Sequence, residues 1–126
     1  MKIAQFDLWE KVLIVAELSA NHLQDLDLAR RTIEAMARAG ADAVKLQTYT
    51  PDTMTIDCRR EDFLIQQGTL WDGKTFYELY QKAYTPWEWH KELKELAESL
   101  GLIFFSTPLT PPLWTFLKIS GYPVSK

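Results

Sequence analysis

A lysine and a glutamine two residues apart interrupt an otherwise apolar run, Ala43-Val44-Lys45-Leu46-Gln47-Thr48, in this 126-residue chain. Side chains alternate along a strand, so Lys45 and Gln47 share one face while Val44 and Leu46 share the other. Desolvating an ammonium is costly unless an anion or a strong hydrogen-bonding group sits beside it. Lys45 is therefore read as an anion-binding residue at the exit of a strand, with Gln47 as its companion. Glu17 closes a second apolar run, Val12 to Ala16, and a carboxylate one strand over can pair with the lysine or orient a substrate hydroxyl. Thr107 follows a third run, Leu102 to Phe105. Bland alternatives stay open. Lys45 can reach out of the strand end toward Asp42, Glu17 can cap the following helix, and Thr107 before Pro108 can simply form a turn. Asn21 and His22, in the connection after Glu17, are further candidates, although one histidine does not define a metal site. Trp71, in a long loop, is of a type that lines sugar sites. Trp87, Trp89 and Trp114 are expected to be packing residues, and His90 is expected to face solvent from a helix.

The elements that must position these residues alternate. Lys2 to Glu10 reads as a short edge hairpin or an arm, and Val12 to Glu17 as a fully buried parallel strand. Asp25 is a helix N-cap, and Leu26, Ala29, Ile33 and Met36 recur at helical spacing up to about Ala39. Gly40 stands where a left-handed C-cap residue is wanted. Residues 43–47 form the next strand, and Thr50 to Lys74 is a long irregular stretch of the kind that is usually functional. Thr75 to Ala83 predicts a short helix. Thr85-Pro86-Trp87-Glu88 predicts a helix start, followed by the stripe Trp89, Leu93, Leu96 and Leu100. Residues 102–106 predict a strand. Thr110-Pro111-Pro112 opens a helix with Leu113, Phe116 and Leu117 inward, and 122–126 begins a fourth strand.

Alternating strands and helices imply a parallel sheet with right-handed crossovers. Polar residues recur where strands end: Glu17, Lys45 with Gln47, Thr107 and Lys126. A (β/α) barrel builds its active site on that rim. A doubly wound sheet would normally carry a glycine-rich first turn, whereas this one reads Leu18-Ser19-Ala20-Asn21-His22. A complete eightfold barrel takes roughly 250 residues. The expected fold is thus α/β, the amino-terminal half of a (β/α)8 TIM barrel, with an incomplete parallel sheet and flanking helices in one domain.

Composition is ordinary for a globular domain, 47% hydrophobic and 25% charged. A formal net charge of −3 lacks the basic footprint of a nucleic-acid binder. Cys58 is the lone cysteine, which excludes an intrachain disulfide and a cysteine metal site and fits a reducing compartment. No apolar run approaches membrane-spanning length, so a cytoplasmic protein without membrane partners is expected.

Three motifs in order carry a family resemblance: Ala16-Glu17-Leu18-Ser19-Ala20-Asn21-His22, then Gly40 through Thr53 containing Lys45-Leu46-Gln47-Thr48-Tyr49-Thr50-Pro51-Asp52, then Phe105-Ser106-Thr107-Pro108. From about Val12 onward the chain resembles the amino-terminal half of the sialic acid synthase family. The run from Leu46 to Thr53, Gly68, Leu70-Trp71 and Thr85 to His90 resemble its pseudaminic branch. The resemblance implies condensation of phosphoenolpyruvate with an open-chain amino sugar, 2,4-diacetamido-2,4,6-trideoxy-altrose. The products would be a nine-carbon 2-keto acid and phosphate. It implies that Lys45, Thr107 and Lys126 bind phosphoenolpyruvate, that Gln47 helps hold the substrates, and that Glu17 sits against the sugar or the attacking water. Ser125 replaces a tyrosine of the family's pattern beside Lys126. A divalent metal, manganese or magnesium, and a homodimeric full-length enzyme are also implied. The family's metal-ligand histidines lie in later strands and its antifreeze-like domain follows the barrel, so this chain is expected to be a fragment, inactive alone. Other readings are a neuraminate, legionaminate or heptulosonate-type synthase, and a non-catalytic, self-associating module.

Overall fold

The computed structural model describes residues 2–3, 6–109 and 111–119. Lys126 and the strand expected at 122–126 lie outside them. At the amino terminus, β1 (Lys2–Ile3) and β2 (Phe6–Asp7) pair antiparallel, Lys2 opposite Asp7, so this segment is a hairpin rather than an arm. The chain then builds a three-stranded parallel sheet in the order β3 (Val15–Glu17), β4 (Ala43–Thr48), β5 (Ile103–Pro108). Each strand lies beside its predecessor, as in a barrel, with no reversal of order of the kind a doubly wound sheet shows.

The first strand is shorter and less buried than its apolar run suggested. Val12 is 82% exposed and Ile14 57% exposed. Ile14 already engages its neighbour, since its carbonyl accepts from the backbone of Asp42 and Ala43 and its N–H donates to the Asp42 carboxylate at 3.0 Å. The Ile14 N–H first, and then the Lys11 ammonium, hold the Asp42 carboxyl below its usual range. Residues 12–14 thus lead into the amino-terminal end of β3, outside the assigned strand.

Helix α1 (Leu26–Arg38) forms where local signals agree. The Asp25 carboxylate accepts from the N–H groups of Asp27 and Leu28, Ala29 and Ile33 face inward, and Gly40 takes the left-handed φ of 88° that ends the helix. The connection from Thr50 to Thr75 carries α2 (Pro51–Met54), a 3₁₀ turn (Glu61–Phe63) and a hairpin closed by Ile65 and Lys74. The Asp72 carboxylate accepts from the backbone N–H groups of Gln67, Gly68 and Thr69 inside that hairpin. Helix α3 (Phe76–Ala83) starts on a reciprocal capping box between Thr75 and Glu78.

Helix α4 (Trp89–Ser99) begins later than the Thr85-Pro86 signal predicts. The Thr85 hydroxyl is engaged by His22 instead of capping the helix, and residues 86–88 make a separate turn. Helix α5 (Pro111–Ile119) follows β5, with Leu117 buried.

One core cluster joins Ala29 and Ile33 of α1, Leu93 and Ala97 of α4, Leu117 of α5, and the strand residues Val44, Leu46 and Phe104. An ion pair between Arg30 and Glu92 ties α1 to α4 at the surface. The Val44–Leu46–Phe104 face of the sheet is therefore covered by helices. The opposite face carries Glu17, Lys45, Gln47, Phe105 and Thr107. No described helix is long and apolar enough to cross a membrane.

Candidate functional site

Parallel registration brings the predicted residues to one rim. Glu17 lies opposite Lys45, Lys45 opposite Phe105, and Gln47 opposite Thr107. Residues in register on neighbouring strands point to the same side, so all five share the inner face near the carboxyl ends of the strands. The Lys45 Nζ stands 2.6 Å from Glu17 Oε1, with Lys45 24% and Glu17 47% exposed. The lysine is thus largely withdrawn from water and paired, and its carboxylate partner remains accessible at the rim. Asp42, the alternative partner, is engaged by Lys11 at 2.9 Å. Phe105 was not singled out in the sequence. Its signal was its place two residues before Thr107, which puts it on the same face, in register with Lys45 on the strand away from Glu17.

The connection after β3 is conformationally costly. Ser19, Leu23 and Gln24 adopt φ of 50°, 50° and 60°, left-handed values in non-glycine residues that cost of order 1 kcal/mol each. His22 anchors this loop from beneath. It is fully buried, accepts from the Gln24 backbone N–H on Nδ1 at 3.1 Å, and so carries its hydrogen on Nε2, which donates to Thr85 Oγ1 at 2.9 Å. Trp89 packs edge-on against the imidazole, and burial pushes the pKa of His22 down. Gln24 Nε2 also donates to the Tyr84 carbonyl. His22 therefore anchors the β3–α1 connection to the Thr85 segment. Asn21 turns its amide back to the Leu18 carbonyl at 3.2 Å. Trp71 lies in the hairpin of the β4–α3 connection, with the Lys74 ammonium 4.9 Å from the ring centroid.

His90 corrects an expectation. It is completely buried rather than exposed, because it lies three residues before Leu93 and seven before Ala97 on the inward side of α4. Its Nε2 is 2.7 Å from Thr48 Oγ1, and burial pushes its pKa down to about 4. His90, bonded to Thr48, lies on the helix-covered face of the sheet, opposite the Lys45 face. Among the described residues no group of three or more His, Cys, Asp or Glu could hold a metal ion. The divalent metal implied by the resemblance therefore finds no ligand set on these residues. A cleft lined by Phe6, Lys11, Asp42 and Ile103 lies at the opposite, amino-terminal ends of the strands.

Comparison with known proteins agrees with this geometry. The NeuB family matches residues 32–126. The chain is 48% identical over 118 residues to the pseudaminic acid synthase of Campylobacter jejuni, covering 94% of this chain and 34% of that protein. It is 54% identical over 113 residues to that of Helicobacter pylori, covering 90% and 33%. The N-acetylneuraminic acid synthetase of Leptospira borgpetersenii, solved in complex with citrate, superposes with a TM-score of 0.69 at 29% identity. That match covers 88% of this chain and 34% of that one. The chain spans about a third of the length of the curated relatives it matches. Its incomplete sheet and flanking helices correspond to the amino-terminal half of a TIM-type barrel. With three-quarters of its residues inside the family match, this chain belongs to the NeuB family of sialic-acid-type synthases.

Proposed function

We propose that this chain supplies the phosphoenolpyruvate-binding rim of a nonulosonate synthase of the pseudaminic type. The reaction joins phosphoenolpyruvate to 2,4-diacetamido-2,4,6-trideoxy-altrose, giving a nine-carbon 2-keto sugar acid and phosphate. The observation that carries the reading is the Lys45–Glu17 pair at 2.6 Å, with Gln47 and Thr107 one pleat further along the same face. Phosphoenolpyruvate presents a phosphate and a carboxylate. The Lys45 ammonium takes one anionic group, and the Thr107 hydroxyl donates to it from the neighbouring strand. Gln47, able to donate and accept, bridges phosphoenolpyruvate and the sugar. In the condensation the enol carbon bonds to the aldehyde carbon, water adds to the resulting cation, and the carbon–oxygen bond to phosphate breaks. Glu17 is the group placed to orient that water or the sugar. The identities of about one half with pseudaminic acid synthases favour the altrose derivative as the sugar. Phosphoenolpyruvate is an intracellular metabolite, so the reading implies the cytoplasm.

Because the chain spans a third of its relatives, the proposal assigns it ligand binding and no turnover by itself. Phosphoenolpyruvate should raise the unfolding temperature of the wild-type chain and not of Lys45→Met. Equal responses of the two would refute the assignment. A phosphate-release assay with both substrates and manganese should stay at background. A second reading, a self-associating module, is favoured by the uncovered inner face of the sheet. Concentration-dependent association with no response to phosphoenolpyruvate would select it.

A further inference from the structure

The helix-covered face of the sheet is apolar except at one place. Thr48, Ser106 and His90 are all fully buried there. Thr48 Oγ1 lies 2.7 Å from His90 Nε2 and 2.7 Å from Ser106 Oγ, and Ser106 Oγ donates to the Leu46 carbonyl at 3.1 Å. Leu46 pairs with Ser106 and Thr48 with Pro108, so the Thr48–Ser106 contact runs diagonally between strands. It crosses directly behind Gln47 and Thr107, the register pair between them. At this end the backbone ladder is weak, since its last rung, Leu109 N–H to the Thr48 carbonyl, is 3.3 Å long. The far side of the network closes on helix α4, where His90 Nδ1 meets the Pro86 carbonyl at 3.4 Å. The same Tyr84–Pro86 segment receives Gln24 and His22 from the β3–α1 connection.

Apolar side chains of the same shape would fill this layer at little loss of stability. What hydroxyls and an imidazole add is direction. A slip of one residue exchanges the two faces of a strand, which would swing Gln47 into the helix layer and Thr48 toward the ligand. We propose that Thr48, Ser106 and His90 are positioning residues. From behind the sheet, they hold the ends of β4 and β5 in the register at which Gln47 and Thr107 meet one ligand. The inference rests on the phosphoenolpyruvate reading for the identity of that ligand.

The test uses the whole chain and two substitutions, Thr48→Val, which keeps the shape and removes the hydroxyl, and Ser106→Ala, which disturbs packing less. Both are expected to lower phosphoenolpyruvate affinity about fivefold, the size of one lost hydrogen bond, with circular dichroism unchanged. Thr48→Ser, which keeps the hydroxyl, should restore affinity. Hydrogen exchange provides a second readout that needs no ligand. The Leu109 amide should exchange faster in both variants, while the Leu18 amide, bonded to the Lys45 carbonyl across β3 and β4, keeps its rate. Wild-type affinity in both variants would overturn the inference. Failure of the wild-type chain to bind phosphoenolpyruvate would remove the functional reading alone. The exchange rates would then decide the positioning role, with unchanged rates at Leu109 overturning it.

Discussion

At the scale of single residues, the protein uses its two polar layers differently. Lys45 and Glu17 are paired at the rim, with the carboxylate accessible to water, and a partly exposed pair of this kind contributes little to folding, about 0–1 kcal/mol. Lys45→Met should therefore leave urea-unfolding stability within about 1 kcal/mol of wild type while abolishing phosphoenolpyruvate binding. A large loss of stability would mean the lysine is structural. His90 is the converse, buried, away from the ligand, and held neutral by the fold. Its pKa falls from 6.5 in the unfolded chain to about 4, so between those values the unfolded chain binds the proton more readily. Its contribution is fully present above pH 6.5 and is lost as pH falls toward 4, by up to about 3 kcal/mol. His22, also shifted down by burial, acts with the same sign. Urea midpoints should hold from pH 7.5 to about 6.5 and fall from there to 4.5, and His90→Gln should flatten that fall. A flat wild-type profile would show that His90 takes up its proton inside the fold without cost.

At the scale of elements, the helices were legible wherever several local signals agreed. Asp25, the inward Ala29 and Ile33 and the terminal Gly40 all specify α1, and the structure follows them. Thr75 and Glu78 likewise specify α3. Thr75→Ala removes one capping bond and strands its reciprocal partner, which should cost about 1 kcal/mol in chemical denaturation. No change there would mean that the surrounding packing, not the box, holds the helix start. The misreadings share one physical cause, tertiary context. Val12 to Ile14 were read as buried because a continuous apolar run suits a central strand, but they precede β3 (Val15–Glu17), which is paired along one edge only among the described residues. Thr85 has the chemistry of an N-cap and is used by a histidine 63 residues away in the chain. His90 was judged by its polarity, although its spacing to Leu93 and Ala97 already put it on the apolar stripe. At the rim, alternation alone told that Lys45 and Gln47 share a face. Which residue of β5 lies opposite each could not be read, because register depends on pairing between segments some 60 positions apart.

At the scale of the whole molecule, the fold is asymmetric in both directions. Helices close one face of the sheet, and the other, inner face carries Glu17, Lys45, Gln47, Phe105 and Thr107. Across the sheet, β4 is the one strand hydrogen-bonded along both edges among the described residues, pairing over three positions with β3 and over six with β5. It also supplies Val44 and Leu46 to the core. Local opening free energy follows buried contacts and backbone pairing, so the molecule should loosen from its edges inward. Native-state hydrogen exchange should place the slowest amides in β4 and in the α1 and α4 turns around Ile33 and Leu93. Those of β3 should open earlier, with the exposed Ile14 and Val12 beside them. An exposed apolar edge of this kind invites pairing between copies, and a charge on it is the usual deterrent. Ile14→Lys should accordingly reduce any concentration-dependent association in sedimentation without slowing or speeding exchange in β4. If instead the substitution accelerated exchange throughout β4, the strand edge would be part of the cooperative core, and the picture of a sheet organised around its central strand would fail.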